Sequence, residues 1–487
     1  MATSKAPRKP RREAMSRVDT AWLRMERPTN PMMITGVLML DEPMSLEQLR
    51  RVVKQRFLAY PRFRQKAVDT PAGASWVEDA DFDLDWHVRI SALPGRTDPR
   101  SEKRALERFV SQMASTPLDK SKPLWQFHLV EKYGGGSAVV ARIHHSYADG
   151  IALVQVLLSL TDTQRKPDRQ QGNGWLKHDG AGVARRVGAI DRYMKLGSKV
   201  LGKSMEMYRD PTLATMLAKE GGEIGRELLA ALALSDDPPT VLRGRLGVSK
   251  RVAWAEPLDL DEVKAVGRAC DCTVNDVLMA AAAGALRDYL LERGENLDGV
   301  TLRATVPVNL RPLEHAKKLG NHFGLVFLDL PVGEANPIRR LERVSECMNN
   351  LKNSRQAIVA FGLLAALGMA PTALQGVALE LFSRKATAVA TNVPGPQEPL
   401  YLGGSRLREL MFWVPQTGSI GLGISILSYN NRVHFGLIAD AKLIPDPDAV
   451  IRRFGPEFDK LLYLALMGDW THPFDAAAAA ALMPAET

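Results

Sequence analysis

The sequence lacks the features that would place it in several large protein classes. Three cysteines in 487 residues exclude a disulfide framework and favour a reducing cytosol. Aromatic residues make up 6% of the chain and do not interleave with a basic stripe, so no nucleic-acid partner is predicted. No Gly-x-Ser-x-Gly motif occurs, which disfavours a serine hydrolase. No apolar run follows the basic N-terminus, so no secretory signal is predicted.

The sequence also lacks an unbroken apolar run of membrane-spanning length. Residues 356–379 carry no charge, but Pro371, Gln375 and several glycines interrupt them. Runs of this size are more typical of buried or interfacial helices. We therefore expect two short apolar helices separated at Pro371, which lie against a membrane or line an apolar channel. The expected location is the cytoplasm, with peripheral contact at the inner membrane face or at lipid inclusions as the further hypothesis.

The composition of the chain is that of a large globular protein with a basic surface. Hydrophobic residues make up 45% of the chain, and the formal net charge of +9 favours anionic partners. The composition along the chain predicts a basic arm over 1–14, a first lobe over 15–165, a linker with helices over 166–245, a second lobe over 246–470 and an Ala-rich tail over 471–487.

Hydrophobic periodicity predicts strands and helices in alternation. A run over 32–40 predicts a strand, and Ser45 and Gln48 have the spacing of a capping box at the start of the next helix. Apolar runs on both sides of Gly134–Gly136 predict a hairpin. Further strands are predicted near 249–256, 300–309, 323–331, 386–393, 408–416, 420–428 and 432–439. The pattern indicates an α/β protein with mixed β-sheets, in two lobes joined by a helical linker.

The hairpin ends in two adjacent histidines, His144 and His145, followed by Asp149 and Gly150. Strand side chains alternate between faces, so the two imidazoles should point apart. His145 continues an apolar row, so we predict that it does the chemistry. An imidazole titrates near neutral pH and can take a proton from a hydroxyl or a thiol, which predicts a general base. Asp149 is expected to hold the loop, paired with an arginine, and Gly150 to permit a tight entry into the next helix.

Other interpretations of the motifs are open. Adjacent histidines on a strand do not easily bind one ion, so no metal site is predicted. The segment GSKVLGKS at 197–204 fits the phosphate-loop pattern, with LVFLD at 325–329 as an acidic strand, so a P-loop NTPase is one alternative. The residues before 197 have a helical repeat, which disfavours it. A non-catalytic lipid-droplet-binding protein is the other alternative, but it has no need of paired histidines.

The motif His-His-x-x-x-Asp-Gly resembles the signature of the CoA-dependent acyltransferase superfamily, which includes chloramphenicol acetyltransferase and condensation domains. More narrowly, the chain resembles the bacterial wax ester synthase/diacylglycerol acyltransferase family. The supporting stretches, in the expected order, are SRVDTAWLRMERPTNPM at 16–32, PLW at 123–125, TVNDVLMA at 273–280 and NVPGP at 392–396. The resemblance implies two lobes similar to chloramphenicol acetyltransferase.

The resemblance further implies transfer of a long-chain fatty acyl group from acyl-CoA to a fatty alcohol (wax ester) or diacylglycerol (triacylglycerol). Acyl-CoA is a substrate of this reaction, and no cofactor is expected. Asn275, at the predicted start of a helix, is the candidate donor to the oxyanion, whereas Asp276 is expected to cap that helix. Tyr147 stands where small or aliphatic residues are usual and is expected to reshape the channel beside His145. The residues expected to bind substrate or shape the channel are Pro123, Leu124, Trp125, Gly150, Asp276, Asn392, Pro394 and Gly395.

Overall fold

The computed structural model describes residues 12–70, 73–94, 98–165, 234–309, 320–321, 323–352, 360 and 372–468. Most of the basic arm, the predicted linker helices, the segment GSKVLGKS and the Ala-rich tail lie outside these residues. Of the apolar segment, residue 360 and a helix that begins at Thr372 are described. Pro371, where the break between the two apolar helices is predicted, lies outside the described residues.

The first half of the chain alternates strands and helices as the periodicity predicts. Its capping box is present, since Ser45 Oγ accepts from the Gln48 backbone N–H and the Gln48 side chain accepts from the Ser45 N–H. One helical turn, Leu84–His87, comes before the short strand Val88–Ser91, and the Asp83 side chain caps it. The elements are β1 (Arg12–Ala14), α1 (Arg17–Met25), β2 (Met33–Leu40), α2 (Leu46–Val52), a π-helical turn (Val53–Phe57), a 3-10 turn (Pro61–Arg64), β3 (Gln65–Thr70), β4 (Gly73–Glu78), α3 (Leu84–His87), β5 (Val88–Ser91), α4 (Pro99–Ser115), β6 (Trp125–Tyr133), β7 (Gly136–His144), α5 (Gly150–Ser159) and β8 (Thr161–Asp162).

The second half contains each of the seven strands predicted for it, within a few residues of the expected ends. Cys270 and Cys272 lie at the junction of two of its helices, and all three cysteines are free thiols. The elements are β9 (Lys250–Trp254), β10 (Leu258–Asp259), α6 (Leu260–Ala269), α7 (Val274–Glu292), β11 (Leu302–Asn309), β12 (Phe323–Leu330), α8 (Pro337–Lys352), α9 (Thr372–Ser383), β13 (Ala388–Pro394), β14 (Tyr401–Leu402), β15 (Ser405–Trp413), β16 (Leu422–Tyr429), β17 (Arg432–Asp440) and α10 (Pro447–Met467).

Two seven-stranded mixed sheets form the cores of the two lobes. The strands β14 and β15 come from the second half of the chain but belong to the sheet of the first lobe. The first sheet has the order β5-β6-β7-β2-β15-β14-β8, and the second has β10-β17-β16-β13-β11-β12 with β9 also on β17. The chain thus leaves the second sheet after β13, adds β14 and β15 to the first, and returns as β16. The sequence places β15 in the second half, but its apolar residues Leu410–Trp413 are buried against β2. An inner strand needs apolar residues on both faces, which this segment supplies.

The helices of the second lobe pack on its sheet, where α8 contacts β12 and α10 contacts β9 and β17. Helix α7 begins with its own capping box, in which the Thr273 side chain accepts from the Asp276 N–H and the Asp276 carboxylate accepts from the Thr273 N–H. The assignment of Asp276 as a capping residue is therefore confirmed. Helix α7 packs against α8 and α10, and its alanine-rich middle is buried. This packing holds the start of α7 beside β13.

Within the described ranges, no single helix is long and apolar enough to cross a membrane; α6 and α7, bent at 97° to each other, pass that test together by length and composition alone.

Candidate active site

A cavity of about 700 Å³, a volume that includes its opening, lies where the two sheets meet. Its residues come from three parts of the fold. The first is α1 with the segment from the end of β7 to the start of α5, the second is the strands β11 to β13, and the third is the end of β15 with the segment that follows it. The walls are mainly apolar, which suits a hydrocarbon chain. The apolar wall residues include Trp22, Phe323, Leu325, Val389, Phe412 and Val414. Polar groups are few, and one of them is His145.

His145 is held at the wall by the residues on both sides of it. Strand β7 ends at His144, and the His145 backbone N–H donates to the Met32 carbonyl at 2.7 Å, which continues the pairing with β2. The imidazole stacks on the Trp22 indole, with ring centroids 4.1 Å apart and an interplanar angle of 24°. The Phe323 ring lies nearby, with its centroid 5.7 Å from that of the imidazole and 5.7 Å from that of the Trp22 indole. Nδ1 is buried and has no hydrogen-bond partner among the described residues.

Burial keeps the His145 imidazole neutral. Loss of solvent lowers its pKa to about 4, and the negative charge of Asp149 opposes this only in part. A neutral imidazole has a free lone pair and can accept a proton. The buried ring is therefore in its basic form across the neutral range.

His144 faces the opposite way, as strand alternation predicts. Its Nδ1 accepts from the Ser146 backbone N–H at 3.1 Å and lies 2.8 Å from Ser146 Oγ. Because Nδ1 is an acceptor, the proton of the neutral ring is on Nε2, which lies 3.6 Å from Glu26 Oε1. Complete burial lowers the pKa of His144 to about 3. The ring is not part of the cavity wall.

Asp149 and Gly150 form the start of α5 at the edge of the cavity. The Asp149 carboxylate caps the helix by accepting the Ala152 N–H at 2.8 Å, so its side chain holds the turn after His145. Gly150 lines the cavity, and a Cβ at this position would lie 3.3 Å from Val414 Cγ1. A larger residue at position 150 would therefore narrow the cavity.

The two asparagines singled out by the sequence contact each other. Asn392 Nδ2 donates to Asn275 Oδ1 at 2.9 Å, and Asn275 Nδ2 lies 3.8 Å from Met348 Sδ. Asn392 lies on the cavity wall, whereas Asn275 stands behind it at the start of α7. Pro394 and Gly395 end β13 away from the cavity. A Cβ on Gly395 would lie 2.4 Å from the Ser428 carbonyl oxygen, so glycine permits this close approach of two chains.

Pro123, Leu124 and Trp125 lie in the core of the first lobe and not on the cavity wall. The Leu124 carbonyl accepts the His144 N–H at 3.0 Å, and Trp125 Nε1 donates to the Phe63 carbonyl at 2.7 Å. These residues thus support the strand end that carries the histidines.

The expectation that Tyr147 reshapes the channel is wrong. Its hydroxyl donates to the Gln65 carbonyl at 2.9 Å and accepts the Leu124 N–H at 3.1 Å, so its ring lies inside the first lobe. The chain turns directly after β7, where the Tyr147 N–H donates to the His144 carbonyl at 3.2 Å. That turn ends strand alternation, and the side chain of Tyr147 points away from the cavity.

Sequence reasoning missed several wall residues, among them Trp22 and Phe323. Trp22 has a local signal, since it lies on the buried face of amphipathic α1. Phe323, at the first position of β12, has none beyond its strand. Among the residues that the structure describes, no group of three or more His, Cys, Asp or Glu side chains could hold a metal ion.

Comparisons with known proteins agree with this geometry. A model of the wax ester synthase/diacylglycerol acyltransferase catalytic domain matches residues 15–278, and a model of the corresponding C-terminal domain matches 319–462. A Mycobacterium tuberculosis protein named as a diacylglycerol O-acyltransferase is 30% identical over 480 residues, which cover 94% of this chain and 92% of that protein. Another from the same species, tgs1, is 30% identical over 406 residues, 82% of this chain and 84% of its own.

Solved structures show the same fold. The wax ester synthase/diacylglycerol acyltransferase from Marinobacter aquaeolei VT8 superposes with a TM-score of 0.64 at 22% identity, covering 93% of this chain and all (100%) of that one. A starter condensation domain of rhizomide synthetase RzmA, solved with C8-CoA and Leu-SNAC, gives a TM-score of 0.55 at 14% identity, with 95% and 96% covered. The expected α/β architecture with two lobes is therefore confirmed.

Proposed function

The chain belongs to the wax ester synthase/diacylglycerol acyltransferase family, and from this premise we propose that His145 is the general base of an O-acyltransferase. The reaction moves a fatty acyl group from acyl-CoA to a fatty alcohol or to diacylglycerol. The observation that carries the proposal is the neutral, buried imidazole at the wall of an apolar cavity between the lobes. The P-loop NTPase and the lipid-droplet-binding protein have no support in the family assignment, and Leu325 of the supposed acidic strand lines the same cavity.

The reaction requires one proton acceptor and one oxyanion donor. His145 takes the proton of the acceptor hydroxyl while the hydroxyl oxygen attacks the thioester carbonyl. The tetrahedral intermediate collapses with loss of the CoA thiolate, which takes the proton back from the imidazolium. No acyl-enzyme forms, and no resident cofactor is needed. Acyl-CoA and the acceptor are both substrates, and the net charge of +9 suits the phosphates of CoA.

The bonded amides of Asn275 and Asn392 are the proposed source of the oxyanion donor. Asn392 is the member on the cavity wall, and its Nδ2 carries a second hydrogen beside the one donated to Asn275. Asn275 then orients the Asn392 amide, with the start of α7 behind it. Donors fixed in advance are more effective than donors that must reorient during the reaction. Asp149 and Gly150 shape the entry to α5, and His144 holds the strand end.

We also propose a class of preferred acceptor and a surface at which the enzyme works. The apolar walls fit a long alkyl or acyl chain, which fatty alcohols and diacylglycerol both carry. Both acceptors partition into lipid, so we propose that the enzyme works at a membrane or lipid-inclusion surface while it remains a peripheral protein.

The test is CoA release from a long-chain acyl-CoA, read with a thiol reagent, in the presence of hexadecanol or of diacylglycerol vesicles. We expect acceptor-dependent release of CoA with one ester formed per CoA, identified by chromatography. A second arm supplies ATP in place of acyl-CoA, with phosphate release as the readout. Phosphate release without ester formation would support the NTPase alternative, and binding to vesicles without any turnover would support the lipid-binding alternative.

The pH dependence of kcat/KM gives a further prediction. Because burial lowers the pKa of His145 to about 4, the neutral base persists as the pH falls and is lost only near that value. We expect kcat/KM to be constant from pH 8 to about pH 5, since this parameter reports the free enzyme. The measurement is the initial rate at low substrate, with the melting temperature recorded at each pH. An acid limb centred near the ordinary histidine value of about 6.5 would show a solvated imidazole instead.

A further inference from the structure

Two side chains on one face of α1 restrain His145, one by stacking on its ring and the other through a hydrogen-bonded neighbour. Asp19 and Trp22 are three residues apart, so they lie on the same side of the helix. Trp22 stacks on the imidazole, as described above. Asp19 is buried, with 3% of its surface exposed, and its carboxylate accepts from Asn321. Its contact with His145 runs through Asn321, a residue 302 positions further along the chain.

Asn321 bridges Asp19 to the backbone of His145. Its Nδ2 donates to Asp19 Oδ1 at 2.8 Å and to the His145 carbonyl oxygen at 2.9 Å, and its backbone N–H donates to Asp19 Oδ1 at 3.0 Å. Both hydrogens of the amide are thus used, and the three residues are almost completely buried. The amide has one orientation that satisfies these acceptors, because a flipped amide would place its oxygen against two other oxygens.

The His145 carbonyl is a point where the backbone can set the position of the ring. It is the carbonyl of the peptide that follows the catalytic histidine, directly after the strand has ended. A donor that fixes this peptide plane therefore limits the backbone from which the His145 side chain extends. Trp22 restricts the remaining freedom, since its indole face lies against the ring.

We propose that Asp19, Asn321 and Trp22 form a positioning clamp on His145, in which the Asn321 amide fixes the peptide and the Trp22 face fixes the ring. The inference rests on the proposed function of His145 as the base. The clamp brings the first and second lobes together at the base, because Asp19 and Trp22 belong to α1 and Asn321 lies two residues before the start of β12.

Trp22 has a second effect on the same ring. During transfer the imidazole becomes positively charged, in a site where burial makes that charge unfavourable. A cation over an aromatic face is attracted to it. The indole face therefore interacts more strongly with the imidazolium than with the neutral ring, so Trp22 should lower the barrier and not only tighten binding.

The test compares disruptive and conservative variants by kcat and KM. Asn321→Asp and Asn321→Ala remove both amide donors, and Trp22→Leu removes the aromatic face. We expect kcat to fall about 10- to 100-fold in these variants, the effect of a misplaced catalytic group, with KM within about twofold. Asp19→Asn keeps an oxygen that accepts from Asn321, and Trp22→Phe keeps an aromatic face. These two should retain kcat within about threefold of the intact enzyme.

Val18→Ala is the matched control. Val18 is buried in the same small hydrophobic cluster as Trp22, and its side chain has neither an aromatic face nor a hydrogen-bond donor to offer His145. It should lower the melting temperature while leaving kcat unchanged. The proposal fails if kcat in every variant falls only in proportion to the melting temperature, or if Asn321→Ala and Trp22→Leu keep the kcat of Val18→Ala. Asn321→Ala stands in for Asn321→Asp if the carboxylate prevents folding.

A readout that does not depend on turnover separates this proposal from the proposed function. The rate at which diethyl pyrocarbonate modifies His145 at pH 7 is followed by the mass of the peptide that contains it. A ring released from the clamp exposes its buried Nδ1, so modification should be several-fold faster in Asn321→Ala than in the intact protein or Val18→Ala. Equal rates would overturn the clamp even if acyl transfer is established. Faster modification without any acyl transfer by the intact protein would keep the clamp and reject the function.

Discussion

His145→Ala is expected to lower kcat for acyl transfer by about 10²- to 10⁴-fold, because it removes the general base. The change should leave the fold intact, since the backbone contacts of residue 145 to Met32 and Asn321 are kept. The measurement is kcat under saturating acyl-CoA and alcohol, with the melting temperature beside it. Activity within about tenfold of the intact enzyme would exclude a general-base role.

The neighbouring histidine is the matched control for this experiment. His144→Ala removes the acceptor of the buried Ser146 N–H, and an unsatisfied buried donor costs about 1–3 kcal/mol. We therefore expect a lower melting temperature with a much smaller effect on kcat than His145→Ala has. The opposite result, a stable His144→Ala protein without activity, would exchange the proposed roles of the two rings.

Glu457→Gln is expected to lower the free energy of unfolding by about 3–5 kcal/mol, because it leaves a buried guanidinium without its carboxylate. Glu457 on α10 forms an ion pair with Arg340 on α8, and their side chains are 1% and 2% exposed. Arg340 Nε also donates to the Ala280 carbonyl of α7 at 3.2 Å. The pair thus joins the three helices that hold Asn275 in place. The measurement is the urea unfolding midpoint with its slope.

The control for this second experiment is an exposed ion pair. Glu47 and Arg51 are 87% and 60% exposed and 3.5 Å apart, so Glu47→Gln should change the unfolding free energy by less than about 0.5 kcal/mol. If Glu457→Gln has an equally small effect, the helix layer is not held by this pair. A loss of kcat in Glu457→Gln beyond its loss of folded protein would indicate that the position of Asn275 depends on it.

Features that depend on neighbouring residues could be predicted from the sequence. The hairpin β6–β7, the capping boxes at Ser45 and Thr273 and the opposite directions of His144 and His145 all follow from local spacing. Tyr147 shows the limit of such reasoning, since it lies one turn beyond the end of the strand. Alternation holds only while the chain is extended, and the sequence does not mark where β7 ends.

Features that depend on distant residues could not be predicted in this way. Strand β15 has the pattern of a buried strand, but that pattern does not show which sheet it joins. Asn275 and Asn392 each stood out by resemblance, whereas their hydrogen bond joins residues 117 positions apart. Asn321 had no local signal, because its three hydrogen bonds are made to α1 and to His145 across the lobes. The wall of the cavity is likewise assembled from segments far apart in the chain.

The central claim is direct transfer of the acyl group from the thioester to an alcohol with His145 as the base. The most direct measurement uses enzyme in excess over acyl-labelled acyl-CoA, quenched within one turnover, with and without alcohol. We predict that all label leaves as ester, that none is found on the protein by intact mass, and that conversion needs both alcohol and His145. Label on the protein, or CoA release at the same rate without alcohol, would contradict the account.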